Sequence, residues 1–334
     1  MLIVTDIQNV DTQGGPLVLA MGCFDGVHLG HQKVISTAVD QAEKLGGEAW
    51  VYTFNPHPAK VLVPHKAPRL ISAEPCRLRQ MEALGVQGII ETPFTLEFAK
   101  LSPEAFLKDL IARAPSLAGV VCGQDWSFGC RAAGNFQTLE KFGKAHGFTA
   151  TAIAPVMDGE YKISSTTIRK AIINGDIPMA SKLLGRPFSL FGKVVEGKKI
   201  GRELGYPTAN IDPDNELLPG NGVYAAYTLP QTSEVKNQES GIRNQESKLS
   251  PAPCSLTAGY PSAVFIGTRK TFGCQQHVIE SYLLDFDGDL YGKTLEVVLI
   301  EKTRDIHPFP SREALIEQIK KDVARIRDLL SRHR

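Results

Sequence analysis

The pattern of hydrophobic and polar positions divides the 334-residue chain into two halves. In the first half, short apolar runs alternate with stretches of helical periodicity. One such stretch, Ser102–Arg113, has a serine N-cap and a proline in its first turn, as helix starts prefer. This alternation predicts an α/β fold, a doubly wound parallel (Rossmann-like) sheet over residues 1–185. The predicted strands are Leu17–Gly22, Glu48–Phe54, Gly88–Phe94, Ala118–Gly123 and Phe148–Val156.

The second half, residues 186–334, consists of short apolar runs broken by glycine and proline turns. This pattern predicts an antiparallel β-barrel or sandwich. An amphipathic segment, Ser311–Leu330, predicts a terminal helix. The polar tract 231–258, in which NQES occurs twice, predicts a flexible insertion, and a binding role for it stays open. The predicted strands are Gly192–Val195, Val223–Thr228, Ala263–Gly267, Ile279–Phe286 and Leu295–Ile300.

Charge and cysteine content narrow the class of protein. The net charge of +1 provides no global field to attract nucleic acid or an anionic membrane, so neither is an expected partner. The first residues lack the features of a signal peptide, and no apolar run reaches 18 residues. The six cysteines are scattered without a CxxC pair, which is neither a disulfide framework nor a zinc pattern. We therefore expect a cytoplasmic protein.

The segment CFDGVHLGHQ, residues 23–32, follows the first predicted strand and opens a helix. A helix N-terminus presents unpaired N–H groups and partial positive charge, which suit a phosphate. Asp25 and Gly26 allow a tight turn, and Gly30 lets a nucleotide approach the helix start. His28 and His31 are one helical turn apart, so both can donate to phosphate oxygens. Two ordinary histidines at a helix start are the alternative, which the position after a parallel strand disfavours.

Several motifs in order give the chain a family resemblance. FDGVHLGH resembles the HxGH signature of the nucleotidyltransferase superfamily. Together with the other motifs it is similar to bacterial bifunctional riboflavin kinase/FMN adenylyltransferases, over nearly the whole chain except residues 231–258. The further motifs are NPHP at 55–58, GQDWSFG at 123–129, ISSTTIR at 163–169, GRELGYPTANI at 201–211, PGNGVYA at 219–225 and ESYLLDFDGDLYG at 280–292.

For the first half, the resemblance implies transfer of the adenylyl group of ATP to FMN, which gives FAD and pyrophosphate. It assigns His28, His31 and Arg169 to the ATP phosphates as the catalytic residues. Asn55 and Asp125 follow predicted strands and belong by resemblance to the residues that bind FMN or ATP, although Asp125 could be a simple turn residue. The remaining nucleotide- or flavin-binding residues are Gly22, Phe24, Asp25, Gly30, Ser164, Ser165 and Thr166.

For the second half, the resemblance implies phosphorylation of riboflavin by ATP and Mg²⁺. Glu280 is then the base, and Thr208 and Asn210 are the Mg²⁺ ligands. A hard cation accepts hydroxyl and amide oxygens, and alternate residues of an extended segment share a face. The stretch 192–205 predicts a phosphate-binding flap, with a glycine- and lysine-rich surface loop as the alternative. Its binding residues are Gly197, Lys199, Gly201 and Arg202.

One departure from the family pattern bears on the kinase. The family usually has NIG followed by RPTFG, whereas this chain has Phe265 for the asparagine and Lys270 for the proline. An adenylyltransferase with a degenerate flavin-binding module is therefore a second hypothesis, and a non-catalytic flavin sensor is a third. HxGH also occurs in aminoacyl-tRNA synthetases, but the chain has no basic, aromatic-studded stretch for RNA. The resemblance leaves a homo-oligomer open.

Overall fold

The computed structural model describes residues 1–197, 200–231, 242–244, 259–271 and 274–333. Contacts between residues divide them into two compact units. The first contains Met1–Arg69, Arg77–Ile163 and the strand Ile242–Asn244, and the second contains the described residues of Leu70–Cys76, Ser164–Thr232 and Ala252–Arg334. The predicted division at residue 185 differs from this one, which groups residues 164–185 with the second unit.

The first unit is built on a seven-stranded sheet with the order β12-β1-β4-β3-β2-β5-β6. All neighbours are parallel except β12, which pairs antiparallel with β1. The chain runs from β2 outward to β4 and then returns to the other side of β2 as β5. This reversal makes the β2–β5 edge the point where ligands bind in such sheets. The strands are β1 Leu2–Val4, β2 Leu17–Met21, β3 Glu48–Asn55, β4 Gly88–Pro93, β5 Leu117–Gly123, β6 Thr149–Ile153 and β12 Ile242–Asn244.

Both faces of this sheet are covered, as the sequence pattern predicts. Along β2, Leu19 and Met21 belong to one hydrophobic cluster, while Val18 and Ala20 belong to another. The first cluster includes residues of α4 (Pro103–Arg113) and α5 (Phe136–His146). The second includes residues of α1 (Leu29–Leu45) and α3 (Glu74–Ala83). Burial on both faces explains why β2 is apolar at every position.

Smaller elements complete this unit. Helix α2 is Pro58–Leu62, and the hairpin of β7 (Met157–Asp158) and β8 (Tyr161–Lys162) follows β6. Short 3-10 helices are Ile7–Asn9, Pro64–Lys66, Phe98–Lys100 and Cys130–Ala132. The sequence pattern predicted neither β1 nor the hairpin, because elements of two or three residues carry too little periodicity.

The second unit is a closed antiparallel barrel with the order β10-β14-β13-β11-β15-β9, in which β9 also pairs with β10. The sequence was compatible with either a barrel or a sandwich. The pairing of the two end strands shows that the unit is a barrel. Its strands are β9 Phe188–Val195, β10 Ala209–Pro213, β11 Gly222–Pro230, β13 Tyr260–Thr271, β14 Cys274–Leu283 and β15 Thr294–Arg304. The helices are α6 Ser165–Asn174, α7 Ile177–Leu184, α8 Ile200–Glu203 and α9 Arg312–Ser331.

The polar tract 231–258 lies mostly outside the described residues. Within it, only the strand Ile242–Asn244 and residue 231 are described. No helix in the described ranges combines the length and apolar character that a membrane span needs.

Candidate active sites

The first candidate site is a cavity of about 230 Å³ in the first unit. Its walls come from the segments that follow the carboxyl ends of β2, β5 and β6, together with the start of α1. The cavity therefore lies at the reversal of strand order, where the parallel fold favours a ligand. Its lining includes the predicted residues Gly22, Phe24, His28, Gly30, His31 and Asp125.

The turn between β2 and α1 has an unusual backbone. Gly26 has φ +81°, which glycine adopts freely, but Phe24 and Val27 have φ 47° and 41°. A positive φ is costly for a β-branched residue such as valine, and such conformations concentrate at functional sites. Phe24, Asp25 and Val27 are all buried, so the surrounding fold holds this turn in place.

His28 caps helix α1 through its own ring. The His31 backbone N–H donates to His28 Nδ1 at 3.3 Å, so in the neutral imidazole the ring proton is on Nε2. The two rings stack with their centroids 3.6 Å apart and 17° between their planes. A Cβ on Gly30 would lie 3.1 Å from His28 Cε1, so this glycine also makes room for the imidazole itself. The structure thus confirms that both rings lie together at a helix start.

Phe24 is almost fully buried, at 1% exposure, and its ring meets His31 edge to face with centroids 5.3 Å apart. The Phe24 ring therefore packs against His31 and helps to hold the imidazole in position. Asp25 is likewise buried, at 4% exposure.

Asp125 follows β5 and forms an ion pair with Lys162 of β8. Both side chains line the cavity, and both are at least half exposed. Lys162 was not predicted, because the hairpin that carries it leaves no pattern in the sequence.

Asn55 lies at the end of β3, and it is not among the described residues that line the histidine cavity. Its amide Nδ2 donates to Glu91 Oε2 at 3.4 Å, and Glu91 Oε1 accepts from Arg77 Nη2 at 2.6 Å. Glu91 is buried, and burial of this kind normally requires a charged partner. In the sequence, Glu91 is a single carboxylate within the apolar run GIIETPF. That run predicted a strand, and the prediction gave Glu91 no role.

Ser164 is the N-cap of α6, as predicted, and its Oγ accepts from the Thr167 backbone N–H at 3.2 Å. Ser165, Thr166 and Arg169 lie in the first turns of this helix. The cap directly follows Ile163, which lines the histidine cavity. These helix residues belong to the second compact unit, and their role toward the phosphates stays a prediction.

The second candidate site is a cavity of about 410 Å³ in the barrel unit. Register places four lining residues in one row across four strands: Asn210 opposite Glu280, Glu280 opposite Phe265, and Phe265 opposite Val223. Directly opposite residues of antiparallel strands have Cβ atoms about 5 Å apart and share a face. The predicted base and one predicted metal ligand are therefore neighbours on one wall.

The flap residues lie against the predicted metal ligands. A Cβ on Gly197 would lie 2.2 Å from Asn210 Nδ2, and one on Gly201 would lie 2.4 Å from the Tyr206 carbonyl oxygen and 3.1 Å from Thr208 Oγ1. Only glycine permits this approach. Arg202 follows Gly201 in α8 and is exposed, and Lys199 lies outside the described residues.

An ion pair between Arg304 and Asp322 also lines this cavity. Arg304 Nη2 donates to Asp322 Oδ2 at 2.7 Å, and Gln318 Nε2 donates to Asp322 Oδ1 at 2.8 Å. Arg304 also lies over the Phe309 ring, 5.8 Å from its centroid. Sequence reasoning missed this pair, because its members lie 18 positions apart on different elements.

No group of three His, Cys, Asp or Glu side chains among the described residues has the arrangement of a metal site. Thr208 and Asn210 stay the predicted metal ligands of the barrel.

Comparisons with known proteins match a family to each half of the chain. The FAD synthetase family model matches residues 11–167, and the riboflavin kinase model matches residues 184–330. A bifunctional riboflavin kinase/FMN adenylyltransferase of Buchnera aphidicola is 33% identical over 336 residues and is covered in full, as is this chain. The protein of that name in Bacillus subtilis is 36% identical over 312 residues, which is 91% of this chain and 90% of that one.

A solved structure described as a macrolide-efflux protein from Streptococcus pneumoniae has a TM-score of 0.79 and 28% identity. It covers 97% of this chain and 98% of its own, and its description is a statement about that protein alone.

Fold and matches together define the class: a flavin-processing transferase with one nucleotidyltransferase domain and one kinase domain. The chain belongs to the family of bifunctional riboflavin kinase/FMN adenylyltransferases. It converts riboflavin to FMN and FMN to FAD, with ATP as the phosphoryl and adenylyl donor. The predicted pairing of two activities on one chain is thus confirmed.

Proposed function

We propose that the two reactions divide between the two halves, with adenylyl transfer in residues 1–185 and riboflavin phosphorylation in residues 186–334. The observation that carries this assignment is the stacked pair His28–His31 at the start of α1, where the strand order reverses. A helix start and two imidazoles in one cavity are suited to a polyphosphate.

In adenylyl transfer, an FMN phosphate oxygen attacks the α-phosphorus of ATP, and the bond to the β-phosphate breaks to release pyrophosphate. FMN phosphate is already anionic near neutral pH, so the site needs positioning and charge neutralisation rather than a base. His28 Nε2–H donates to the phosphates because Nδ1 is occupied by the helix cap. His31 adds a second donor beside it.

The family resemblance assigns further phosphate donors to the start of α6: the hydroxyls of Ser164, Ser165 and Thr166 and the Arg169 guanidinium. On the wall of the histidine cavity, Lys162 adds a cation that pairs with Asp125. Asn55, with Glu91 and Arg77 behind it, binds FMN at the neighbouring ends of β3 and β4.

In riboflavin phosphorylation, Glu280 accepts the proton of the terminal ribityl hydroxyl while that oxygen attacks the γ-phosphorus and ADP leaves. A neutral alcohol is a poor nucleophile, which is why a carboxylate base is needed here and not in the other site. Gly197, Gly201 and Arg202 of the predicted flap, and by prediction Lys199, bind the ATP phosphates.

The barrel site fits Mg²⁺, because Thr208 and Asn210 offer the oxygen donors that a hard cation accepts and the flap glycines bring backbone close to both. Bound Mg²⁺ would neutralise phosphate charge as ADP departs. We further propose a cytoplasmic location, which is supported by the free thiols of Cys23, Cys76, Cys122 and Cys130.

A time course with riboflavin, ATP and Mg²⁺ tests this proposal. In the wild type FMN should appear first and FAD later. His28→Ala should accumulate FMN with FAD formation lowered at least about 100-fold, the scale of a lost transition-state donor. Glu280→Gln should leave riboflavin unchanged yet convert added FMN to FAD. Wild-type FAD synthesis by His28→Ala, or FMN formation by Glu280→Gln, contradicts the assignment.

A further inference from the structure

The lining of the barrel cavity combines polar and apolar groups. Thr208, Asn210 and Glu280 contribute polar side chains, and Arg304 and Asp322 contribute an ion pair. Helix α9 contributes the aliphatic side chains of Leu315, Ile319 and Val323, and the segment before it contributes Ile306 and Phe309. Phe265 of β13 adds an aromatic ring to this lining.

Phe265 lies next to the proposed base. It is directly opposite Glu280 on one side and Val223 on the other, and all three line the cavity. A ligand whose hydroxyl reaches Glu280 therefore has the rest of its length in a cavity that the Phe265 side chain lines.

The position of the Phe265 ring is set by a glycine two residues on. A Cβ on Gly267 would lie 2.7 Å from both Cε1 and Cζ of Phe265 and 3.3 Å from Ile306 Cδ1. The ring consequently occupies the space that any other side chain at 267 would fill. It lies along its own strand as an apolar surface between Gly267 and Ile306.

Riboflavin combines the same two kinds of group: a polar ribityl chain that ends in a hydroxyl, and a planar three-ring system with an apolar face. With the chain end at Glu280, the rings would meet the apolar part of the lining. Aromatic rings that meet face to face or edge to face gain stabilisation beyond their buried area.

We propose, on the basis of the kinase role assigned above, that Phe265 is a specificity-determining residue whose ring packs against the three-ring system of riboflavin. Ribityl compounds with a small polar ring reach Glu280 equally well but leave this apolar surface uncovered. The asparagine usual in the family would offer a polar contact here, so this chain discriminates by aromatic packing instead.

Lumiflavin tests the proposal most directly, because it has the three rings but no ribityl chain and reports ring binding alone. For the full-length protein, kcat and KM for riboflavin and Ki for lumiflavin are measured in the wild type, Phe265→Asn and Phe265→Leu. Phe286→Asn is the matched control, since Phe286 is a half-buried ring of the same unit that does not line the described cavity.

For Phe265→Asn we expect KM and Ki to rise about tenfold, which corresponds to about 1.4 kcal/mol, with kcat within about twofold of wild type. Phe265→Leu keeps an apolar contact without ring stacking, so a rise of about threefold is expected. Phe286→Asn should change neither constant. If Phe265→Asn no longer shows the thermal unfolding transition of the barrel, that variant is not folded. The KM and Ki of Phe265→Leu then decide the proposal.

Unchanged Ki for lumiflavin in both variants would overturn the proposal. A fall in kcat at constant KM would do so as well, because it would place Phe265 behind Glu280 rather than against the flavin. If the wild type does not phosphorylate riboflavin, the proposed function fails. Fluorescence titration with lumiflavin then still decides whether Phe265 binds the ring.

Discussion

At the residue scale, His28 has two tasks that can be separated. Its Nδ1 caps helix α1, and the proposed function assigns its Nε2 to phosphate. Asparagine is among the best N-cap residues, but it is shorter than histidine. The two tasks therefore predict different outcomes for His28→Asn and His28→Ala.

His28→Asn should keep the free energy of unfolding within about 0.5 kcal/mol of wild type, whereas His28→Ala should lower it by about 1 kcal/mol through loss of the cap. Both variants should lose adenylyl transfer at least about 100-fold while forming FMN normally. Urea unfolding and flavin chromatography measure the two effects. FAD synthesis that survives in His28→Asn would mean that capping is the only task of this ring.

Cys23 also lines the histidine cavity, and its thiol is unreactive because burial keeps it protonated. Burial raises the pKa of its thiol to about 11, the Asp25 carboxylate adds to this rise, and the Arg77 guanidinium opposes it. Since the thiolate is the reactive form, only about one thiol in a thousand is ionised at pH 8.

We expect iodoacetamide to label native Cys23 slowly at pH 8 and rapidly above pH 11, as followed by peptide mass spectrometry against the unfolded protein. The folded pKa lies above the ordinary 9.0, so the stabilisation from the neutral thiol is complete below pH 9 and is lost as the pH rises toward 11. Rapid labelling of the folded protein at pH 8 would refute this account.

At the element scale, the flap packs closely against the segment that leads into strand β10. Gly201 approaches the Tyr206 carbonyl oxygen and Thr208 so closely that a methyl group has no room. Because the nearest atom is backbone, the flap would have to move rather than a flexible side chain.

Gly201→Ala should therefore reduce riboflavin phosphorylation by at least about tenfold, since catalysis is sensitive to displacements of about 1 Å. Conversion of added FMN to FAD is the internal control and should not change. Gly205→Ala is a poor control because Gly205 has φ +85°. Normal kinase activity in Gly201→Ala would exclude close flap contact during turnover.

At the scale of the whole molecule, each cavity takes its lining from a single compact unit. Neither set of lining residues requires the other site to be intact. A mixture of His28→Ala and Glu280→Gln, each inactive from riboflavin to FAD, should therefore make FAD after a lag in which FMN accumulates. The lag should shorten as protein concentration rises. Absence of FAD from the mixture would show that FMN must stay on the chain that made it.

The sequence predicted the elements that have strong periodicity. Ser102 with Pro103 marked the start of α4, and the fully apolar β2 marked a strand buried on both faces. It also predicted the histidine pair, since the spacing HxGH after a strand implies a helix start. It missed Lys162, because a two-residue strand has no periodicity, and Glu91, because an apolar run conceals one buried carboxylate.

By itself, then, the sequence determined the two-part organisation, the type of each fold and the family motifs, because these depend on local pattern along the chain. Tertiary structure decided what depends on register and closure. Pairing of β9 with β10 made the second unit a barrel, and strand register set Asn210, Glu280 and Phe265 side by side. A shift of one residue in any of those strands would turn its side chain to the other face. Which residue lies opposite it depends on a second strand that is distant in the sequence, so the sequence of one strand does not determine the pair.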